Sequence, residues 1–187
     1  MSLGFRVKSG WAAAVLISNS RKSPPAVVDS RVIELADPTV PHSRQPYHAS
    51  FGTAQSDIAT VTSLVRGIER FSRRAIEALV DEYSKHHRIR TAAAVVASLT
   101  DPASIANQHM RAHASEGQLF RRVLVDGLER CGVKVRVVLE REVYELLGKS
   151  LRASPAVAKR KVAELGEAVA RWRAEQKVAA AGAWLVS

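Results

Sequence analysis

Residues 91 to 139 constrain the fold more than any other stretch of this chain. The run Thr91-Ala-Ala-Ala-Val-Val-Ala-Ser98-Leu99 carries no charge and ends at Thr100-Asp101-Pro102, a helix start with Asp101 as N-cap and Pro102 in the first turn. The spacing predicts a buried strand feeding a helix from about Pro102 to Cys131. Gly132 then closes the helix, because a residue without Cβ tolerates the left-handed conformation that such an end requires. In Val133-Lys-Val-Arg-Val-Val-Leu139 the valines at 133, 135 and 137 alternate with Lys134 and Arg136, which is a second strand. A strand-helix-strand crossover of this length implies two parallel strands in one sheet.

The rest of the chain reads outward from that unit. Around Gly10, Phe5 and Val7 alternate with Arg6 and Lys8 before the uncharged run Ala12 to Ile17, so residues 4 to 17 are read as the first strand. Ser18 to Pro25 is a turn by composition, and 26–28 with 32–35 are strand pieces completing an antiparallel hairpin or meander. The prolines at 38 and 41 place a loop over 36–45, ahead of a third strand candidate at Tyr47 to Phe51. A long helix is expected from about Ala54 to His86, with Ile58, Val61, Val65, Ile68, Leu79 and Tyr83 as its buried stripe. Glu140 to Leu151 suggests a short helix. Ser154 caps a terminal helix that starts at Pro155 and ends in the small-residue run 178–186, suited to lying close against a sheet.

At 187 residues, 47% apolar and 25% charged, the chain is expected to be a single domain over 1–187 with its own core. No stretch approaches the ~18 uncharged apolar residues of a membrane span. Arg6 and Lys8 break up any secretory leader, so a cytoplasmic location is the expectation. The single cysteine, Cys131, cannot form an internal disulfide and reads as a small buried hydrophobe at a helix end. Lys and Arg total 28 against 18 acids, a net charge of +10. Such an excess favours polyanionic partners, DNA or RNA first, through counterion release and steering. Two basic helix faces are candidate phosphate contacts: Arg66, Arg70, Arg73 and Arg74 at spacings of three and four, and Lys159, Arg160 and Lys161 on the terminal helix.

The order of three strands, long helix, strand, helix, strand and terminal helices matches a ribonuclease H-like α/β fold: a mixed five-stranded sheet, three strands antiparallel and then two parallel, flanked by helices. Several stretches resemble the RuvC-type Holliday-junction resolvase branch of that superfamily. Val7-Lys8-Ser9-Gly10-Trp11 and the apolar run after it resemble its first strand; Ala92 to Ser98 its fourth strand; Asn107 to Gly117 with Phe120 to Val125 the helix behind that strand; Val135 to Leu147 its fifth strand; and Ala174 to Val186 its alanine-rich last helix. The resemblance implies four carboxylates on the first strand, fourth strand and late helix, holding two divalent metals for in-line attack on a phosphodiester. It also makes a homodimer an expectation, because resolvases of this type are dimers.

This sequence departs from that pattern at the acids. Lys8 stands at the expected first-strand acid, Ser98 at the end of the fourth strand with Asp101 three residues on, and Glu175 is the one acid near the last-helix positions. Residues 1–28 contain no acid at all. A lysine in a two-metal site repels the ions whose ligand it replaces. The expectation is therefore a pseudo-nuclease that binds nucleic acid and needs no cofactor. The rivals are a magnesium- or manganese-dependent nuclease using relocated acids such as Asp101, Glu140 and Glu142, and a dimeric interaction scaffold in which the charge serves solubility.

Other constellations are weaker. His109 and His113 share a helix face at i, i+4 with Glu116 on the next turn, a spacing able to chelate zinc, but Met110 replaces the glutamate of a metalloprotease motif. Without a third ligand in sequence they read as surface or packing residues, and no metal site is expected. Glu140, Glu142 and Glu145 read as an ordinary charged helix start. Trp11, Trp172 and Trp184 read as packed side chains rather than stacking platforms. There is no phosphate-binding glycine loop and no Gly-x-Ser-x-Gly motif.

Overall fold

A computed structural model describes residues 1–187 except 21–22, 51–52 and 168. The chain opens with β1 (Ser2–Lys8), β2 (Trp11–Ser20) and β3 (Ser23–Glu34), followed by a small hairpin of β4 (His48–Ser50) and β5 (Thr53–Ala54). After these come α1 (Ile58–Ser84), β6 (Thr91–Val96), α2 (Gln108–Arg130), β7 (Lys134–Leu139), α3 (Val143–Ser150), α4 (Pro155–Leu165) and α5 (Ala174–Leu185). The main sheet has the order β3-β2-β1-β6-β7. The first two pairings are antiparallel and the last two parallel, which is the expected ribonuclease H-like arrangement.

The central unit forms as the sequence predicts, with two adjustments. β6 ends at Val96. Asp101 caps only a 3-10 turn over Pro102–Ser104, accepting a hydrogen bond from the Ala103 amide, and α2 starts afresh at Gln108 under its own cap, Asn107. Gly132 has φ +77, closing α2 as anticipated. Cys131 is half-buried at that helix end, and burial pushes its thiol up from the ordinary cysteine value.

Four other readings are corrected. Residues 4–17 are two strands rather than one, folded back at Ser9-Gly10, where Gly10 has φ +83. The strand at 48–50 pairs only with β5 and stands outside the main sheet; the Phe51 end of that candidate lies outside the described residues. α1 begins at Ile58 rather than near Ala54, because Asp57 accepts the Ala59 amide as N-cap and Ala54 pairs with His48 in the β4–β5 hairpin. Ile58 is consequently 80% exposed and lies off the buried stripe, which runs through Ile68, Ser72, Ile76, Leu79, Val80 and Tyr83. Finally, the terminal helix is two helices. α4 stops at Gly166, and the chain turns through Arg171 at φ +62 before α5 begins.

Each face of the sheet has its own core. Leu3, Phe5, Val7, Ala92 and Ala94 pack with α1 and α2, sharing Ile76, Phe120 and Leu124. On the other side Ala13, Val15, Ile17 and Val95 pack with α3, α4 and α5, and the three tryptophans lie partly buried against this core. The even-numbered residues of β1 form the floor under α5. A Cβ on Gly4 would lie 1.8 Å from the Ala179 carbonyl oxygen, so glycine alone lets the helix backbone come this close. Along the same row, the Ser2 hydroxyl donates to the Ala183 carbonyl at 2.7 Å. The small-residue run thus lies against the sheet as expected. Among the described residues no helix is long and apolar enough to cross a membrane.

Candidate functional site

The carboxyl ends of β1 and β6 open into a cleft of about 230 Å³ lined by Arg6, Lys8, Ser98, Thr100, His113 and Arg121, among others, with no carboxylate in its wall. Arg6 and Lys8 share the α5 side of β1 because side chains alternate along a strand. Arg6 is 4% exposed; its guanidinium donates to the Val7 carbonyl at 2.6 Å and to the Glu140 carboxylate just beyond β7. The Glu140 amide in turn donates to the Val96 carbonyl, which fixes that corner. Lys8 faces Glu175, in the first turn of α5, at 3.9 Å.

Of the five positions the resemblance singles out, Lys8, Ser98, Glu140 and Glu175 lie around this end of the sheet. Glu140 and Glu175 are each engaged by a separate cation, so they are held apart from one another's chemistry. Ser98 bonds locally, accepting from the Thr100 amide at 3.0 Å. Asp101 is exposed and used as the cap of its 3-10 turn. The other acids after β7 are also paired singly, Glu142 with Arg141 at 3.6 Å and Glu145 with Lys149 at 2.7 Å. The Lys149 ammonium, donating to Glu145, holds that carboxyl below the usual range. Among the described residues no three carboxylates gather at one point, and the one such group of potential metal ligands is a set of histidines.

The second feature is a groove of about 430 Å³ between α1 and α2, lined by Arg66, Arg70, Arg73, Arg122 and Arg130 with Glu69 and Asp126. Gly127 brings the helices together there, since a Cβ on it would meet Ile76 Cδ1 at 2.7 Å. Arg122 bonds Glu69 at 2.7 Å, and Arg73 lies 4.0 Å from Glu77. Arg66, Arg70 and Arg130 form no ion pair with any described residue. Five guanidinium groups against two carboxylates leave the groove electropositive. Arg74 diverges from its three neighbours and lines a separate depression with Asp37, Val40 and Ser43. Lys159, Arg160 and Lys161 are exposed on α4, on the opposite face of the sheet, with Arg160 3.6 Å from Glu164. The two predicted basic faces are therefore separate surfaces.

Arg6, Arg122 and Arg130 escaped the sequence reading. Arg122, Asp126 and Arg130 recur every four residues along α2, a helical signal that was present. Nothing local in the sequence distinguishes Arg6 from Lys8 as the residue that reaches Glu140, 134 residues away.

This sheet order and helix placement define a ribonuclease H-like fold of the RuvC type. Among solved structures, the chain is similar to Thermus thermophilus RuvC in complex with a Holliday junction substrate (TM-score 0.58, 11% identity, 98% of this chain and 90% of that one). Thermus thermophilus RuvC alone gives a TM-score of 0.55 at 13% identity, with the same coverage. The yeast mitochondrial Holliday junction resolvase gives 0.51 at 10% identity, covering 98% of this chain and 75% of that one. No protein-family model and no curated protein matches the sequence.

Proposed function

We propose that this chain is a nucleic-acid-binding protein that keeps the ribonuclease H-like frame and does not cleave its ligand. The observation that carries the reading is the arginine groove between α1 and α2. Guanidinium groups free of internal carboxylates are available to phosphates, and each such contact releases counterions from the nucleic acid. The cleft at the sheet end supports the second half of the reading. A two-metal site needs converging carboxylates, and this cleft instead presents Arg6, Lys8 and Arg121. The solved resolvase bound to a Holliday junction makes branched DNA the first ligand to try.

The test is fluorescence anisotropy with a four-way junction and a linear duplex across a salt series, alongside a cleavage assay with magnesium or manganese. Binding at low salt with steep loss as salt rises is expected. Reversing Arg66, Arg70 and Arg130 together should flatten the log–log salt slope by about 3. That is about a 40-fold smaller loss of affinity over a fourfold rise in salt. Reversal of Lys159 and Lys161, on the far face, should act more weakly. Indifference to DNA and RNA at low salt overturns the reading. Metal-dependent cleavage abolished by Asp101→Asn would overturn its non-catalytic half in favour of relocated acids.

A further inference from the structure

Three histidines meet between the β4–β5 hairpin and the first turns of α2. His48, from β4, is 4% exposed; His109 and His113 come from α2. His48 Nε2 lies 3.3 Å from His109 Nδ1, and His109 Nε2 lies 3.2 Å from His113 Nε2. One nitrogen from each ring can be chosen so that all lie within 4.8 Å of one another. The rings meet edge-on or tilted, at 80°, 49° and 74°, rather than stacked. Zinc–nitrogen bonds of 2.0–2.1 Å in a tetrahedron place ligand nitrogens about 3.4 Å apart, so the observed separations are close to those of a zinc site.

A second, independent observation is the group behind the histidines. Glu116, one turn past His113, is fully buried. Its Oε1 lies 2.6 Å from His48 Nδ1, and its Oε2 lies 3.7 Å from His113 Nδ1 with no hydrogen-bond partner. A carboxylate behind the Nδ1–H of a histidine fixes the tautomer that presents Nε2 to a metal, the outer-shell arrangement of zinc-bound imidazoles. Here one carboxylate backs two of the three rings. A carboxylate with no exposed surface and one oxygen unpartnered requires compensating positive charge, and a dication on those imidazoles supplies it.

We propose that His48, His109 and His113 bind one zinc ion, with Glu116 as the carboxylate that positions His48 and His113. Three neutral nitrogen donors suit zinc and exclude magnesium and calcium, which take oxygen ligands. The fourth position falls to water, because the three rings are the sole potential ligands gathered there among the described residues and His113 is 46% exposed. The ion would tie the β4–β5 hairpin, which lies outside the main sheet, to α2. It stands apart from the carboxylate positions of the two-metal resemblance, and it does not depend on nucleic-acid binding.

The experiment uses the full chain, stripped with a chelator and titrated with zinc alone, followed by calorimetry, metal analysis after desalting and thermal melting. Cobalt substitution reports ligand geometry by its visible absorption. Expected are one zinc per chain, a raised melting temperature and a tetrahedral-type cobalt spectrum. His48→Asn and His113→Asn should each weaken affinity at least about 100-fold, and Glu116→Gln about 10- to 100-fold. His113 is half-exposed, so its variant keeps the test valid if the buried His48 variant does not fold. The proposal is overturned if the folded wild-type chain retains no zinc. It is equally overturned if zinc binds but His48→Asn or His113→Asn binds as tightly, which would mark an adventitious surface ion.

Discussion

Replacing Glu140 with alanine removes the one carboxylate that faces the buried Arg6 guanidinium. Arg6 is then left with the Val7 carbonyl as its remaining acceptor, in a position where its side chain is 4% exposed. Taking one partner from a buried ion pair costs about 3–5 kcal/mol, because the surviving charge stays desolvated. The Glu140 side is 42% exposed, so water reaches the space it vacates and the figure drops to about 2 kcal/mol. Arg6→Met places an apolar chain of similar length in the same slot under α5 and should cost less than about 1 kcal/mol. In the double variant the loss of Glu140 should then cost almost nothing further, a coupling of about 1.5 kcal/mol. Urea unfolding of the four proteins, with m-values checked for constancy, measures it. If Glu140→Ala costs under about 0.5 kcal/mol and the cycle closes with no coupling, the contact between Arg6 and Glu140 does not organise the end of the sheet.

Two further outcomes follow from contacts on either side of that corner. Gly4→Ala puts a methyl group 1.8 Å from the Ala179 carbonyl, where helix backbone must retreat, and should destabilise the fold by about 3 kcal/mol or more; a denaturation midpoint within error of wild type would show that α5 lies less tightly on β1. Asp57, the N-cap of α1, is held below the usual carboxylate range by the Thr60 hydroxyl and then the Ala59 amide. Because the folded-state value is the lower one, its contribution is present above the ordinary carboxylate pKa and fades as pH falls through the depressed value. Asp57→Asn retains a capping oxygen without the charge, so its stability deficit at neutral pH should shrink on acidification below about pH 4; a deficit independent of pH would contradict this.

The fold was largely legible because its central unit is written in local patterns. An uncharged run, a capped helix with a closing glycine and an alternating valine strand each carry their own period, so parallel pairing followed from connection length alone. The break between α4 and α5 was not legible, because no proline marks it. It depends on Trp172 packing against Gly166 and bonding the Val162 carbonyl, a contact made only after the chain has turned. Part of the site was visible: the periodicity placed Arg66, Arg70 and Arg73 together. The partners that complete each cluster lie far along the chain, Arg122 opposite Glu69 and His48 opposite Glu116, 68 residues on. A helix period constrains neighbours within a turn or two and is silent about which remote segment folds across them.

The Ser2 hydroxyl and the Ala183 carbonyl it bonds are 181 residues apart. The strand made earliest by the ribosome sits in the middle of the sheet, and both its neighbour β6 and its cover α5 are made much later. A nascent chain therefore carries β1 with one edge and one face unsatisfied until nearly all of the sequence has emerged. The glycine and serine on that face offer little apolar surface to aggregate through while it waits, so the same small side chains that admit α5 also keep the unfinished strand harmless.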